Sequence, residues 1–157
     1  MQFSFFETAL RAQKSYSRLM EPVCRKWNLT HNELAVLLFL ANNPSQDRAV
    51  DIVRGRGMSK GHVSMSLGSL EARGLVARRE DDEDRRIVRL TLTGAASPIA
   101  AEGQAVQRDF VARIHKGVTP EEIRVMWSVT QKIGENVLTL EQELTFPKGP
   151  GAAVPIR

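Results

Sequence analysis

The stretch that most restricts the fold lies between Leu75 and Leu92. Two short segments, Leu75–Arg79 and Ile87–Leu92, flank an unbroken charged run, Glu80-Asp81-Asp82-Glu83-Asp84-Arg85-Arg86. Such a run is too polar for anything but an exposed tip. The second segment alternates, with Val88, Leu90 and Leu92 on one face and Ile87, Arg89 and Thr91 on the other, as in a half-buried strand. The pattern predicts a β-hairpin with a charged apex.

Everything around the hairpin reads as helix, so the expected fold class is mainly α with a small β-hairpin. At the start, Phe3, Phe6, Leu10, Met20, Cys24 and Trp27 form one apolar column, and Phe5, Ala9, Ala12, Tyr16, Leu19 and Val23 a second beside it. A helix with two adjacent columns needs more than one neighbour to cover it. Pro22 is expected to bend or end this helix locally, because it lacks a backbone donor. Thr30 with Glu33 gives a capping box, and Leu34, Leu37, Leu38 and Ala41 follow as a buried helix stopped by Asn42-Asn43-Pro44. A short helix is expected at Ala49–Arg54, ended by Gly55 and Gly57. Ser59 caps the next helix, whose core face is Val63, Leu67 and Leu70 and whose stop is Gly74.

After the hairpin, Ile99, Val106, Phe110 and Ile114 share a helical face. Either Thr93 starts that helix, with a distortion near Pro98, or its regular part starts at Ser97. Thr119-Pro120-Glu121-Glu122 opens a last helix with a capping box. There Ile123, Met126, Thr130, Ile133, Val137, Leu140 and Leu144 repeat as a narrow seam suited to helix–helix pairing. The tail PKGPGAAVPIR has the composition of a disordered segment.

Composition adds three limits. The single cysteine, Cys24, excludes an intramolecular disulfide framework and suits a reducing cytoplasm. No apolar run approaches the roughly 18 residues of a membrane span. The opening MQFSFFETALRAQKS lacks a basic region before its apolar residues, so no secretory leader and no membrane partner are expected, and the location expected is cytoplasmic. Net charge is +4 over the 157 residues. Most of that excess falls between Arg48 and Arg89, where a nucleic-acid footprint would cluster.

The Ser59 helix gives its apolar face to the core, which leaves Lys60, Gly61, His62, Ser64, Met65 and Gly68 outside. Small and polar side chains let a helix sit deep in a DNA major groove, and the helix N-terminus favours phosphate. A generic amphipathic surface helix fits that pattern equally well. The hairpin tip separates the two readings: Arg85 and Arg86 stand at the apex of a ribbon narrow enough for a minor groove. Asp84 can brace Arg86 by a bidentate pair. The other acidic residues of the tip count against a DNA surface.

Two short helices at a tight turn followed by such a hairpin, from about Ala49 to Thr93, make a winged helix-turn-helix pattern. The run DIVRGRGMSKGHVSMSLGSLEARGLVARREDDEDRRIVRLTLTGAA, with LTHNELAVLLFLANNP upstream, resembles the MarR family of bacterial regulators. LEARGLV, Asp84-x-Arg86 and LTLTG are the most specific parts of that resemblance. It implies a homodimeric, effector-responsive regulator, a repressor released from a pseudo-palindromic double-stranded DNA operator by a small molecule. On that pattern residues 1–28 and 94–146 are dimerisation helices, 29–93 the DNA-binding lobe and 147–157 a disordered tail. The implied DNA-contacting residues are Ser59, Lys60, Gly61, His62, Ser64 and Met65 on the helix. On the wing they are Asp84, Arg85 and Arg86, with Arg86 reaching the minor groove. A pocket for the effector is implied at the junction of lobe and dimer helices, with Tyr16, Trp27 and Phe39 as candidate lining. Two departures bear on the target sequence: Met65 replaces a commonly basic residue, and Glu83 stands where an arginine is frequent.

Other chemistries find little support. His31, His62 and His115 are widely spaced, so no metal site is expected. His62 reads as a DNA contact or a solvated residue, and His115 as a helix-end residue near Gly117. No nucleophile–base pairing, P-loop or dinucleotide fingerprint occurs, so neither an enzyme nor a cofactor is expected. Cys24 is expected to be buried and inert. The alternative function is a winged helix used as a protein-interaction module, without DNA, through its acidic wing.

Overall fold

A computed structural model of the chain describes residues 4–145. The elements run α1 (Phe5–Trp27), α2 (His31–Asn42), α3 (Ala49–Arg56), α4 (Lys60–Ala72), β1 (Val76–Glu80), β2 (Val88–Leu92), a 3₁₀ turn (Gly94–Ala96), α5 (Ser97–Ile114) and α6 (Pro120–Thr145). Two units separate, one reaching to Ile114 and one starting at His115. Phe3 and the Pro/Gly-rich tail expected to be disordered lie outside the described residues.

The first unit is organised around α2. Glu33 meets Thr30 in the expected capping box, and Leu34, Val36, Leu37, Leu38, Phe39 and Leu40 are all buried. This is broader than the one-faced helix read from Leu34, Leu37, Leu38 and Ala41, because α1, α3, α4, β2 and α5 all pack on α2. A helix apolar all round is one enclosed by neighbours. Each large side chain fully buried here contributes roughly 1.5–3 kcal/mol of apolar transfer.

Pro22 lies inside α1 and does not end it. Burial of Met20, Val23 and Cys24 on both sides of Pro22 offsets the roughly 3 kcal/mol that an interior proline costs. The helix closes at Asn28, which takes a left-handed conformation (φ 51°) while Leu29 N–H donates to the Cys24 carbonyl at 2.8 Å. Burial along α1 is uneven: its last turns are in the core, whereas Phe5, Phe6 and Leu10 are exposed.

Gly55 also differs from expectation. It sits within α3, which continues to Arg56 and stops at the left-handed Gly57. A Cβ at Gly55 would collide with the Phe39 ring, so this glycine permits close packing of α3 on α2. Ser59 caps α4 as expected, and Gly74 (φ 67°) turns the chain from α4 toward β1 where a side chain would be strained. The hairpin is antiparallel, pairing Val76 with Leu92, Arg78 with Leu90 and Glu80 with Val88. Leu90 is buried, but Val88, on the same face nearer the tip, is exposed because the core ends before it.

Thr93 begins only the 3₁₀ turn, and the regular α5 starts at Ser97, which settles the ambiguous cap. The Thr93 hydroxyl instead donates to the Gly74 carbonyl at 2.6 Å and closes the hairpin base. On α5, Ile99 is buried and Val106 packs on the core edge. In the second unit, Thr119 and Glu122 form the capping box that opens α6. The α6 residues Met126, Ile133, Val137, Leu140 and Leu144 are exposed.

Candidate nucleic-acid interface

α4 has two distinct sides. Val63, Ser66, Leu67 and Leu70 are buried, and Lys60, Gly61, His62, Ser64, Met65 and Gly68 are exposed. Ser59 is exposed and its hydroxyl accepts the His62 N–H at 3.2 Å, which starts the helix at a fixed residue. Met65 is 74% exposed, a large apolar side chain standing among small ones. Nothing lies within 4 Å of the position a Cβ would take at Gly68, so this surface is open.

Two ties hold α4 against the rest of the unit. The Glu33 carboxylate, buried at the head of α2, accepts from the Ser69 hydroxyl and from the Thr30 N–H and hydroxyl. Burial would push this carboxyl up, but the Ser69 and Thr30 donors, with Arg73 nearby, bring it below its ordinary value. Just past the C-terminus of α4, one turn beyond Ser69, the Arg73 guanidinium donates to the carbonyls of Trp27 at 2.7 Å and Asn28 at 2.8 Å. A cation on the last carbonyls of α1 also complements the helix dipole there. The outer face of α4 is thus referenced to both α1 and α2.

The hairpin tip is a set of ion pairs. Asp84 braces Arg86 through Nε and Nη2, both at 3.0 Å, and accepts the Arg86 N–H at 3.0 Å. The Arg86 side chain is nevertheless 90% exposed, so it is aimed but not buried. Arg86 and the adjacent amide hold the Asp84 carboxyl below its usual range. Asp81 accepts the N–H groups of Glu83 and Asp84 at 3.0 Å each and the Arg89 Nε at 2.7 Å. The Asp84 amide, then Arg89, then the Glu83 amide lower the Asp81 carboxyl to about 2. Asp82 lies 3.5 Å from Arg79. Three of the five carboxylates that looked wrong for a DNA surface are therefore matched by arginines of the same hairpin. Arg85 is exposed at the apex.

The three aromatic residues proposed for an effector pocket are dispersed. Tyr16 lines a cavity of about 360 Å³ between α1, α2 and α3, with Ser17, His31, Asn32 and Arg56 among its other walls. Trp27 instead donates its ring N–H to Glu102 of α5 at 2.9 Å, beside Lys26 on the same oxygen. Phe39 is buried in the core beneath Gly55. Their helical spacing did not reveal this, because the choice between cavity and core depends on which neighbour each ring meets.

Cys24 is 4% exposed, and burial together with the Glu21 charge pushes its thiol up. Its sulfur lies 3.7 Å from Nδ1 of His31, whose Nε2 meets Glu21 at 2.8 Å. His31 therefore has partners that were not evident from the spacing of the histidines alone. His62 is exposed on α4, and His115 lies just past the end of α5. Among the described residues, no three His, Cys, Asp or Glu side chains gather to hold a metal ion, and no helix is long and apolar enough to cross a membrane.

Sequence reading missed Asp47, Asp81 and Arg89. Arg89, on the face of β2 opposite Leu90, reaches both carboxylates, at 2.9 Å to Asp47 and 2.7 Å to Asp81. Asp47 lies in an irregular loop with no periodicity to mark it.

The sequence profile of the MarR family matches residues 27–87, from the end of α1 into the hairpin tip. The fold matches a MarR-family transcriptional regulator from Silicibacter pomeroyi with a TM-score of 0.72 at 22% identity, covering 83% of this chain and 88% of that one. It matches the transcriptional regulator PA3341 with a TM-score of 0.71 at 25% identity, over 86% of this chain and 99% of that one. A third similar structure is the S. aureus MepR–DNA complex, with a TM-score of 0.71 at 15% identity, over 86% of this chain and 97% of that one. The profile falls on the lobe that carries α4 and the braced wing, and the shared architecture extends well beyond it: over that lobe the chain is similar to the MarR family, and its fold is that of the MarR-family regulators it matches.

Proposed function

We propose that this protein is a homodimeric DNA-binding transcriptional repressor. α4 is the recognition helix, with Ser59, Lys60, Gly61, His62, Ser64 and Met65 toward the major groove. Asp84, Arg85 and Arg86 form the wing tip, which enters the minor groove. The observation that carries the reading is Arg86: an exposed guanidinium, held by Asp84 at the tip of a ribbon beside a helix with a small, open outer face. A narrow minor groove concentrates negative potential and favours such an arginine. The likeness in fold to MepR, a protein solved in complex with DNA, supports DNA binding.

The exposed apolar residues at the start of α1 and along α6 are surfaces for a second copy of the chain. Replacing Ile133 and Val137 together by Asp is expected to yield monomer or unfolded protein by sedimentation, since obligate dimers often lack a stable monomer. The cavity at Tyr16 is the site at which a small effector would act to release DNA.

The function is tested by selecting duplexes from a random-sequence library with the full chain and titrating salt against the selected duplex. A pseudo-palindromic consensus is expected, bound with an affinity that falls steeply as salt rises, because each phosphate contact releases counterions. Binding that ignores salt, or selection of no duplex, refutes the reading. If, in that case, Glu80→Lys and Asp81→Lys abolish capture of a basic protein partner, the wing is a protein-docking device.

A further inference from the structure

We propose that Arg89, held between Asp47 and Asp81, is a positioning residue for the wing arginine, linking the loop between α2 and α3 to the tip of the hairpin. The inference rests on the DNA-binding reading above. Asp47 is joined to β2 twice: its carbonyl accepts the Leu90 N–H at 2.7 Å, and its carboxylate accepts from Arg89 Nη1 at 2.9 Å. The Nε of Arg89 points the other way, to Asp81 Oδ2 at 2.7 Å. The second oxygen of Asp81 accepts the Glu83 and Asp84 amides and so fixes the turn that presents Asp84. Asp84 then holds the guanidinium of Arg86. The connection is continuous from Asp47 to Arg86.

Its inner links are better shielded than its outer one. The side chains of Asp47 and Asp81 are 24% and 15% exposed, whereas the outermost member, Arg86, is almost wholly in solvent. Partly desolvated, charge-assisted hydrogen bonds hold geometry better than exposed pairs, which on their own contribute little. The Asp84–Arg86 pair sets the guanidinium relative to the tip. The Arg78–Glu71 pair and the Leu90 N–H bond to Asp47 hold the body of the hairpin against the helices, and the links through Arg89 carry that hold on to the turn at its tip. Without them the aimed arginine would move with a two-stranded ribbon, and a pair of strands alone is marginally stable.

The test uses the full chain and the duplex selected from the random library. Arg86→Ala first identifies the base positions whose preference the wing supplies, and paired duplexes are then made that differ only there. Arg89→Gln and Asp47→Asn are each expected to lower that preference roughly tenfold while discrimination at all other positions stays within about twofold. In an Arg86→Ala background, Arg89→Gln is expected to cause no further loss. Asp47→Asn keeps the carbonyl bond to Leu90 and carries the test if Arg89→Gln does not fold. The inference is overturned if these substitutions weaken every duplex equally, if their losses multiply with that of Arg86→Ala, or if Arg86→Ala removes no preference at all. A protein that selects no duplex overturns the DNA reading itself, which is a separate result.

Discussion

The α4 helix and the hairpin lie side by side, yet they are constructed in opposite ways. α4 is held from behind: Val63, Leu67 and Leu70 enter the core, Glu33 takes Ser69, and Arg73 reaches across to α1. On its outer side Gly61, Ser64 and Gly68 are small, and Ser64 and Met65 are exposed. The wing has almost no core to rest on beyond Val76 and Leu90. It is held from within, by carboxylates that each satisfy an arginine or a backbone amide. A helix has its own hydrogen bonds and can be fixed by one buried face. A two-stranded ribbon lacks that support and needs side chains to set its tip. The acidic residues of the hairpin thus serve its geometry.

The sharpest break in this comparison is Arg86→Ala. DNA affinity should fall by roughly 10- to 100-fold, the size of one good arginine contact, with the melting temperature unchanged because the residue is exposed. Matched losses in binding and melting, read by titration and calorimetry, would make Arg86 structural. Ser69→Ala attacks the other region from behind. Glu33 stays buried with one oxygen unsatisfied, so stability should drop by about 1–3 kcal/mol in denaturant titrations. An unchanged midpoint would show that the tie between α2 and α4 is idle.

A smaller effect is expected from Met65→Ala. Only apolar contact with thymine methyl groups is available to this side chain, so preference at one or two central base pairs should weaken by about 1 kcal/mol while the wing's positions keep theirs. Loss at the wing's positions instead would mean that the two regions are not independent. The smallest effect concerns acid. The Asp81 carboxyl is depressed to about 2, so its contribution to the folded state is present above the unfolded value near 4 and is lost as pH falls through 2. The Glu83 and Asp84 amides should therefore stay ordered at pH 4 and loosen toward pH 2 in proton NMR. Loosening already at pH 5 would contradict that assignment.

Much of this architecture could be read from residues in order. Capping pairs at Thr30–Glu33 and Thr119–Glu122, the Ser59 cap and the end of the second strand at Leu92 are local, and each appears in the structure at the expected place. The misreadings share a cause. Pro22 and Gly55 read as helix breakers on local grounds, but core burial keeps α1 running and close packing on Phe39 explains the glycine. Trp27 and Phe39 were grouped with Tyr16 as possible pocket lining, although their neighbours direct one to Glu102 and the other into the core.

The wing shows the same division. That a charged hairpin follows the α4 helix, and that Asp84 stands two residues from Arg86, within reach of a bidentate pair, can be read from the residues in order. Such facts need only backbone periodicity and side-chain length. That Arg89 reaches back to Asp47, 42 positions earlier, and that Asp81 belongs to the turn rather than to the solvent, follows from packing in three dimensions. A long, flexible side chain on a strand has no partner written beside it. Its partner is whichever group packing brings within about 3 Å, the distance at which a hydrogen bond forms.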